Sequence, residues 1–291
     1  MNVCYYNGSV LEKREIISVY NGSFLYGINC FEGLRGYWDV DADQLLLLDL
    51  EYHLDRLYES ASRLRFNVTL TKEKLKDQLR TLIFEQNVKE NIYVRITFFI
   101  DGETSWIEQE NISCLISLRG MKSSFFDDVS MRSYTLHVSS VLRNSEFSTP
   151  PSIKAGGNYL NSRYAKLNAI ENGFDDALIV NQKGFISEST GSCIFFLKAE
   201  ALITPSLDCD ILPSITRRRI IALCKSKGIE IHECHLKTDN ISDMEGAFLC
   251  GSMIEIMPIS RIQNRLMSTS ELPLFQKVVN LFKDSIKIED I

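Results

Sequence analysis

Two runs, IYVRITFFI from Ile92 and ISCLISL from Ile112, constrain this chain most, because the first is rich in β-branched and aromatic residues, the second mixes apolar with small polar ones, and each is no longer than a strand. Two helical segments precede them. Leu54, Leu57, Tyr58, Ala61 and Leu64 keep helical spacing from Leu50 onward, and Thr71 opens a second helix predicted to run to Glu85. At the start, Asn7-Gly8 lies between the apolar runs VCYY and SVL, a hairpin signal because both residues tolerate positive φ. Helices combined with a mostly antiparallel sheet make the first half an α+β domain.

The chain has 291 residues, which suggests two moderate domains. The polar stretch GMKSSFFDDVSMRS is the predicted linker, around residues 120 to 132, giving a smaller domain at 1–124 and a larger one at 125–291. In the second half, Leu160, Tyr164, Leu167 and Ile170 space a helix from Tyr159 to Asn172, ended by Gly173. The strands DALIV, FISES, CIFFLK and ALITP follow, the first two joined across Asn181 to Gly184. A helix from Ser214 to Lys227, the strand IEIHECHL, and at least one strand within MEGAFLCGSMIEIMPI complete the reading.

Composition narrows the function. A net charge of -6 without a basic run argues against a nucleic-acid binder. No window approaches 18 uncharged apolar residues and no secretory leader is legible, so the expectation is a cytoplasmic protein without a membrane partner. The eight cysteines have no CxxC pair and no repeated interval, which suggests reduced thiols rather than a disulfide framework. His232 and Cys234 share one face of a strand while His235 points away, so these three do not converge on a metal.

The stretch SIKAGGNYLNS sets Lys154 directly before Gly156 and Gly157. A lysine attacks a carbonyl only as the neutral amine, and glycines beside it would admit a planar ligand. On spacing alone Lys154 is a surface residue like most lysines. Its surroundings alter that reading. The run from IKAGGNYL through FDDALIV and GFISES to CIFF resembles, over about 45 residues and in order, the central block of the class IV pyridoxal-phosphate aminotransferases, the fold type IV enzymes. Further matches are YGINCFEGLRGY at Tyr26 to Tyr37, HLDRL at His53 to Leu57, YVR at Tyr93 to Arg95, LPSITR at Leu212 to Arg217, and CGSMIEIMPI from Cys250. The likeness spans nearly the whole chain and is nearest to the branched-chain amino acid aminotransferases.

That resemblance implies two α/β domains with pyridoxal 5′-phosphate at their interface, and reversible transfer of an amino group from an L-amino acid to a 2-oxo acid, with glutamate and 2-oxoglutarate as one pair. It implies that Lys154 carries the cofactor and then moves a proton at the substrate α-carbon, and that Glu188 faces the pyridine nitrogen. Tyr159 would hydrogen-bond the cofactor's phenolic oxygen. Arg56, the backbone amides of Ile215 and Thr216, and Ser252 would hold the phosphate; the two amides lie at a helix start, where anions are favoured. Tyr93 would hold the substrate α-carboxylate and Arg95 the distal carboxylate. Strand periodicity independently puts these two on one face. Phe31 would be a pocket wall, and Tyr26 would approach a neighbouring subunit's site, which makes a homodimer the expected unit.

Some positions depart from the family pattern. Met253 and Ile254 follow Ser252 where two small residues are usual, GSC at Gly191 to Cys193 replaces Gly-Glu-Asn, and Arg119 stands where an aromatic wall is common. These changes leave cofactor binding intact and open the side-chain specificity. D-amino acid transamination, an aminodeoxychorismate-lyase-like reaction and cofactor holding without turnover remain alternatives.

Overall fold

The computed structural model describes residues 2–10, 18, 20–103, 105–121 and 132–286. Most of the predicted linker, 122–131, lies outside them. The chain divides into two compact units: the described residues before 122 together with Ile153–Gly157, and 132–152 together with 158–286.

The first unit is a six-stranded antiparallel sheet. Its strands are β1 (Asn2–Tyr6), β2 (Ser9–Val10), β3 (Asn29–Asp39), β4 (Gln44–Leu47), β5 (Ile92–Ile100) and β6 (Ile112–Gly120), in the order β2-β1-β6-β5-β3-β4. Alternation along β5 buries Ile92, Val94, Ile96 and Phe98 on one face. Helices α2 (Leu50–Arg63) and α3 (Lys72–Glu85) contribute Leu54, Leu57, Leu75, Leu79 and Leu82 to the same core. The predicted start of α3 agrees with its cap, since Thr71 Oγ1 accepts from the Lys74 N–H.

Two elements here go beyond the sequence reading. A short helix, α1 (Gly22–Tyr26), is capped by the Asn21 side chain and closed by Gly27 at φ 71°. Strand β3 runs eleven residues through Gly33 and Gly36, which weaken any strand signal. Close packing accounts for Gly36, where a Cβ would come within 2.9 Å of Ile92 Cγ1.

The second unit has a nine-stranded mixed sheet. Its strands are β7 (Tyr134–Val138), β8 (Asp176–Val180), β9 (Ile186–Ser189), β10 (Cys193–Lys198), β11 (Ala201–Pro205), β12 (Glu230–Cys234), β13 (Gly246–Gly251), β14 (Glu255–Ile262) and β15 (Arg265–Leu266). Helices α4 (Tyr159–Glu171) and α5 (Ile215–Ser226) start as predicted, to within one residue. The final helix, α6 (Pro273–Ile286), is unassigned in the sequence reading although Leu274, Phe275, Val278, Val279 and Phe282 form its buried stripe. Phe275 packs on Phe248, which stacks on Phe195 at 5.1 Å.

The sequence reading puts Lys154 in the larger C-terminal domain, whereas Ile153–Gly157 packs with the first unit. The reason is backbone pairing: the Phe31 N–H donates to the Lys154 carbonyl at 3.1 Å, and Ala155 forms a bridge with Cys30. These residues thus extend the edge of β3 although Phe31 and Lys154 are 123 positions apart, a pairing that local periodicity does not encode.

Candidate active site

In the first unit, the register of β3 against β5 pairs Phe31 with Thr97, Gly33 with Arg95 and Arg35 with Tyr93. Paired residues share a face, so Phe31, Tyr93 and Arg95 stand on the side opposite the core. The Arg95 guanidinium lies 3.6 Å from the centre of the Phe31 ring, and Lys154 Nζ lies 5.1 Å from the same ring. Both cations therefore use one aromatic surface. The Lys154 main chain is fixed at both ends, its N–H donating to Ser60 Oγ at 3.3 Å and its carbonyl accepting from Phe31. Gly156 lets the Asn29 amide pack closely, because a Cβ there would sit 2.5 Å from Asn29 Oδ1 and push that side chain aside.

Gly33 decides where Tyr93 lies. A Cβ on Gly33 would fall 1.8 Å from the Tyr93 phenol oxygen, so the phenol crosses the sheet only over a glycine. Gly33→Ala is expected to displace that phenol and lower kcat/KM by about tenfold or more, since positional errors near 1 Å cost that much. Steady-state kinetics beside Tyr93→Phe check it: a Gly33→Ala enzyme with wild-type kinetics would show that the phenol position is irrelevant.

The other face of β3 carries Glu32, fully buried. Arg56 grips it from α2, with Nε 2.7 Å from Oε1 and Nη2 2.8 Å from Oε2, and His53 Nδ1 lies 2.7 Å from Oε2. Arg56, predicted to hold a phosphate, is thus an oriented guanidinium rather than the solvated cation that its spacing suggests. Burial alone would raise the Glu32 carboxyl, but the Arg56 charge and the hydrogen bonds from Arg56 and His53 outweigh it and hold the group down at about 2. Burial pushes the His53 imidazole below its ordinary value, with Glu32 pulling the other way.

Both shifts have the same sign for stability. A depressed carboxyl stabilises fully above its unfolded value and loses that contribution as the pH falls through about 2. A depressed imidazole stays neutral in the fold, so stability drops once the pH falls below the ordinary histidine value of 6.5. Denaturant midpoints followed from neutral pH into acid are expected to fall continuously in the wild type and less steeply in Glu32→Gln. Equal slopes would remove this cluster from the account of acid sensitivity.

In the second unit, Glu188 on β9 is buried. Its Oε1 accepts from Arg143 Nη2 at 2.5 Å and from the Leu212 N–H at 3.3 Å, while the Cys193 thiol lies 3.7 Å from Oε2. Burial, and then the Glu188 charge, push that thiol up to about 12, so it stays protonated and can donate. Arg143 is itself anchored, its Nε donating to the Asp210 carbonyl at 3.2 Å. Ile215 and Thr216 open α5 behind the Ser214 cap, which takes the Arg217 N–H. Their own N–H groups are of the kind that a helix leaves without an intrahelical acceptor. Tyr159 begins α4, half exposed at 42%. Ser252 and Met253 lie between β13 and β14, followed by Glu255 at φ 57°, a conformation costly for a residue with a side chain.

The first unit presents an amine with a phenol and a guanidinium, and the second a buried carboxylate and a helix N-terminus. An amine can bind a carbonyl covalently, a carboxylate can hold a protonated ring nitrogen, and a helix N-terminus suits a phosphate. Sequence reasoning missed Arg143, Glu32 and Gly33. His53 and Arg56, three apart in HLDRL, signalled a shared helix face. Nothing local marked Arg143, because its partner is 45 positions away.

Known proteins resemble this chain over nearly its whole length. A family model described as amino-transferase class IV matches residues 29–262. A putative branched-chain-amino-acid aminotransferase of Methanocaldococcus jannaschii is 30% identical, covering 96% of this chain and 95% of its own. A probable branched-chain-amino-acid aminotransferase of Aquifex aeolicus is 28% identical over 99% of this chain and 93% of its own. The crystal structure of the branched-chain amino acid aminotransferase from Thermobaculum terrenum in its PLP form superposes with a TM-score of 0.92 at 27% identity, over 99% of this chain and 94% of that one.

Proposed function

Because this chain belongs to the class IV amino-transferase family, we propose that it moves an amino group between an L-amino acid and a 2-oxo acid, with pyridoxal 5′-phosphate as its cofactor and glutamate and 2-oxoglutarate as one substrate pair. One observation carries this reading: the Lys154 amine and the Arg95 guanidinium share the Phe31 ring, which sets a reactive amine beside a carboxylate receptor. The donor set suits the cofactor. Lys154 would attach it, Glu188 would meet its ring nitrogen, Tyr159 its phenolic oxygen, and Arg56, Ser252 and the amides of Ile215 and Thr216 its phosphate. When bound, the cofactor supplies an electron-accepting ring for the charge left at the substrate α-carbon.

The chain's own groups do the rest. Lys154 takes the proton from the substrate α-carbon. Arg143 pairs with Glu188 and orients it. Tyr93 and Arg95 hold the two carboxylates of a dicarboxylic substrate, with Phe31 as a flat wall and Met253 beside the side chain. A homodimer belongs to the same proposal, since Phe24, Tyr26 and Trp106 are exposed by 74%, 55% and 64%, an apolar group that suits a second copy.

The test is amino-group exchange between L-glutamate and branched-chain 2-oxo acids, in wild type and Arg95→Met. Losing one charge-assisted contact, about 1.5–3 kcal/mol, is expected to raise KM for 2-oxoglutarate by roughly tenfold or more and to spare monocarboxylic 2-oxo acids. Equal effects on both acceptors would remove Arg95 from the distal carboxylate. Exchange with D-amino acids alone, or pyruvate release from aminodeoxychorismate, would replace the reading altogether.

A further inference from the structure

Away from the residues above, the second unit brings together three side chains that the sequence keeps apart. Asp208 and Cys209 lie in the turn after β11, and His235 immediately follows β12. Among the described residues, one ligand atom from each of these three lies within 4.8 Å of the other two. Sequence periodicity set His235 against His232 and Cys234 and found no convergence; the parallel pairing of β11 with β12 supplies different partners.

The turn is built to hold this arrangement. The Ser206 N–H donates to the Cys234 carbonyl at 3.2 Å, tying the turn to the end of β12, and the Cys209 N–H donates to the Ser206 carbonyl at 3.0 Å. Asp208 Oδ2 lies 2.7 Å from His235 Nε2, and its Oδ1 accepts from Ser206 Oγ. Phe185 stacks on the imidazole at 4.5 Å with 14° between planes, which fixes the ring's orientation. Cys209 is buried, whereas Asp208 and His235 are exposed, so the trio runs from interior to solvent.

We propose that Asp208, Cys209 and His235 form a structural site for a borderline-soft divalent cation, zinc in the first instance, with a water in the fourth position. Thiolate, imidazole and carboxylate together suit zinc and disfavour magnesium or calcium, which take oxygen ligands. Tetrahedral bonds of about 2.0–2.3 Å put ligand atoms about 3.3–3.8 Å apart. The Asp208–His235 contact therefore opens slightly and the thiol closes in, within the reach of side-chain rotation. Binding replaces the Asp208–His235 hydrogen bond by two metal bonds, transfers the imidazole proton from Nε2 to Nδ1 so that Nε2 can ligate, and releases the Cys209 thiol proton to solvent.

Titration of the cofactor-loaded protein with zinc chloride, followed by heat in two buffers of different ionisation enthalpy, tests this. One ion per chain with release of about one proton is expected, together with a rise in thermal midpoint. Cobalt(II) should give a thiolate charge-transfer band. Cys209→Ser and the surface variant His235→Ala should each weaken zinc at least about tenfold and abolish the band, while Cys4→Ser leaves both unchanged. His235→Ala alters an exposed ring, so it reports on the site even where Cys209→Ser perturbs folding. Absence of stoichiometric binding, or binding that survives His235→Ala, would overturn the proposal and leave Asp208–His235 as a surface hydrogen bond.

Discussion

Replacing Lys154 by alanine is expected to lower amino-group transfer by at least about 10³-fold, because the same amine attaches the cofactor and moves the α-carbon proton, and proton transfer alone contributes about 10²–10⁴-fold. Folding should survive. The segment is held by its main chain, through the Lys154 N–H to Ser60 and the Lys154 carbonyl to Phe31, and neither bond uses the side chain. Two readouts separate this outcome from simple damage. The variant should retain pyridoxal phosphate noncovalently while losing the visible band of the lysine-bound form, and a small amine such as methylamine should restore part of the turnover. Turnover within about tenfold of wild type would show that another group carries the proton, and would return Lys154 to the solvated lysine that spacing alone suggests.

The second large effect concerns stability. Arg143 and Glu188 have side chains only 7% and 6% exposed, so removing one partner strands a charge where water does not reach it. Arg143→Met is expected to destabilise the second unit by about 3–5 kcal/mol, the usual consequence of breaking a buried pair from one side. It should also lower kcat, since Glu188 then keeps the Leu212 amide and the Cys193 thiol without its guanidinium. Adding Glu188→Gln to Arg143→Met should recover part of the stability but none of the activity, because the pair's energetic and chemical roles differ. Chemical denaturation of the two single variants and the double variant measures the coupling. Additive losses would mean that the contact contributes nothing as a pair.

Most helices and strands with strong periodicity were legible, although α6 was passed over despite its apolar stripe. Strand β5 runs from Ile92 to Ile100 as its β-rich composition requires, and α3 begins where the Thr71 side chain caps it. Strand β3 was not legible as a strand, because Gly33 and Gly36 are there for contacts with Tyr93 and Ile92, residues about 60 positions away. The motif around Lys154 pointed to the family, and the alternation of β5 set Tyr93 and Arg95 on one face. What holds each of these groups in place was invisible.

By itself, then, the sequence determined which residues are candidates for the chemistry, since an amine, a carboxylate, a phenol and a guanidinium fall within stretches that resemble one enzyme family. It also determined most element boundaries, because caps and periodicity act over a few residues. Only the tertiary structure decided that Ile153–Gly157 pairs with β3, that Arg143 holds Glu188, that Glu32 and His53 orient Arg56, and that His235 faces Asp208 and Cys209. Each of those is a pairing across a large sequence separation, fixed by sheet register and by the burial of charge, and neither leaves a local signature in the chain.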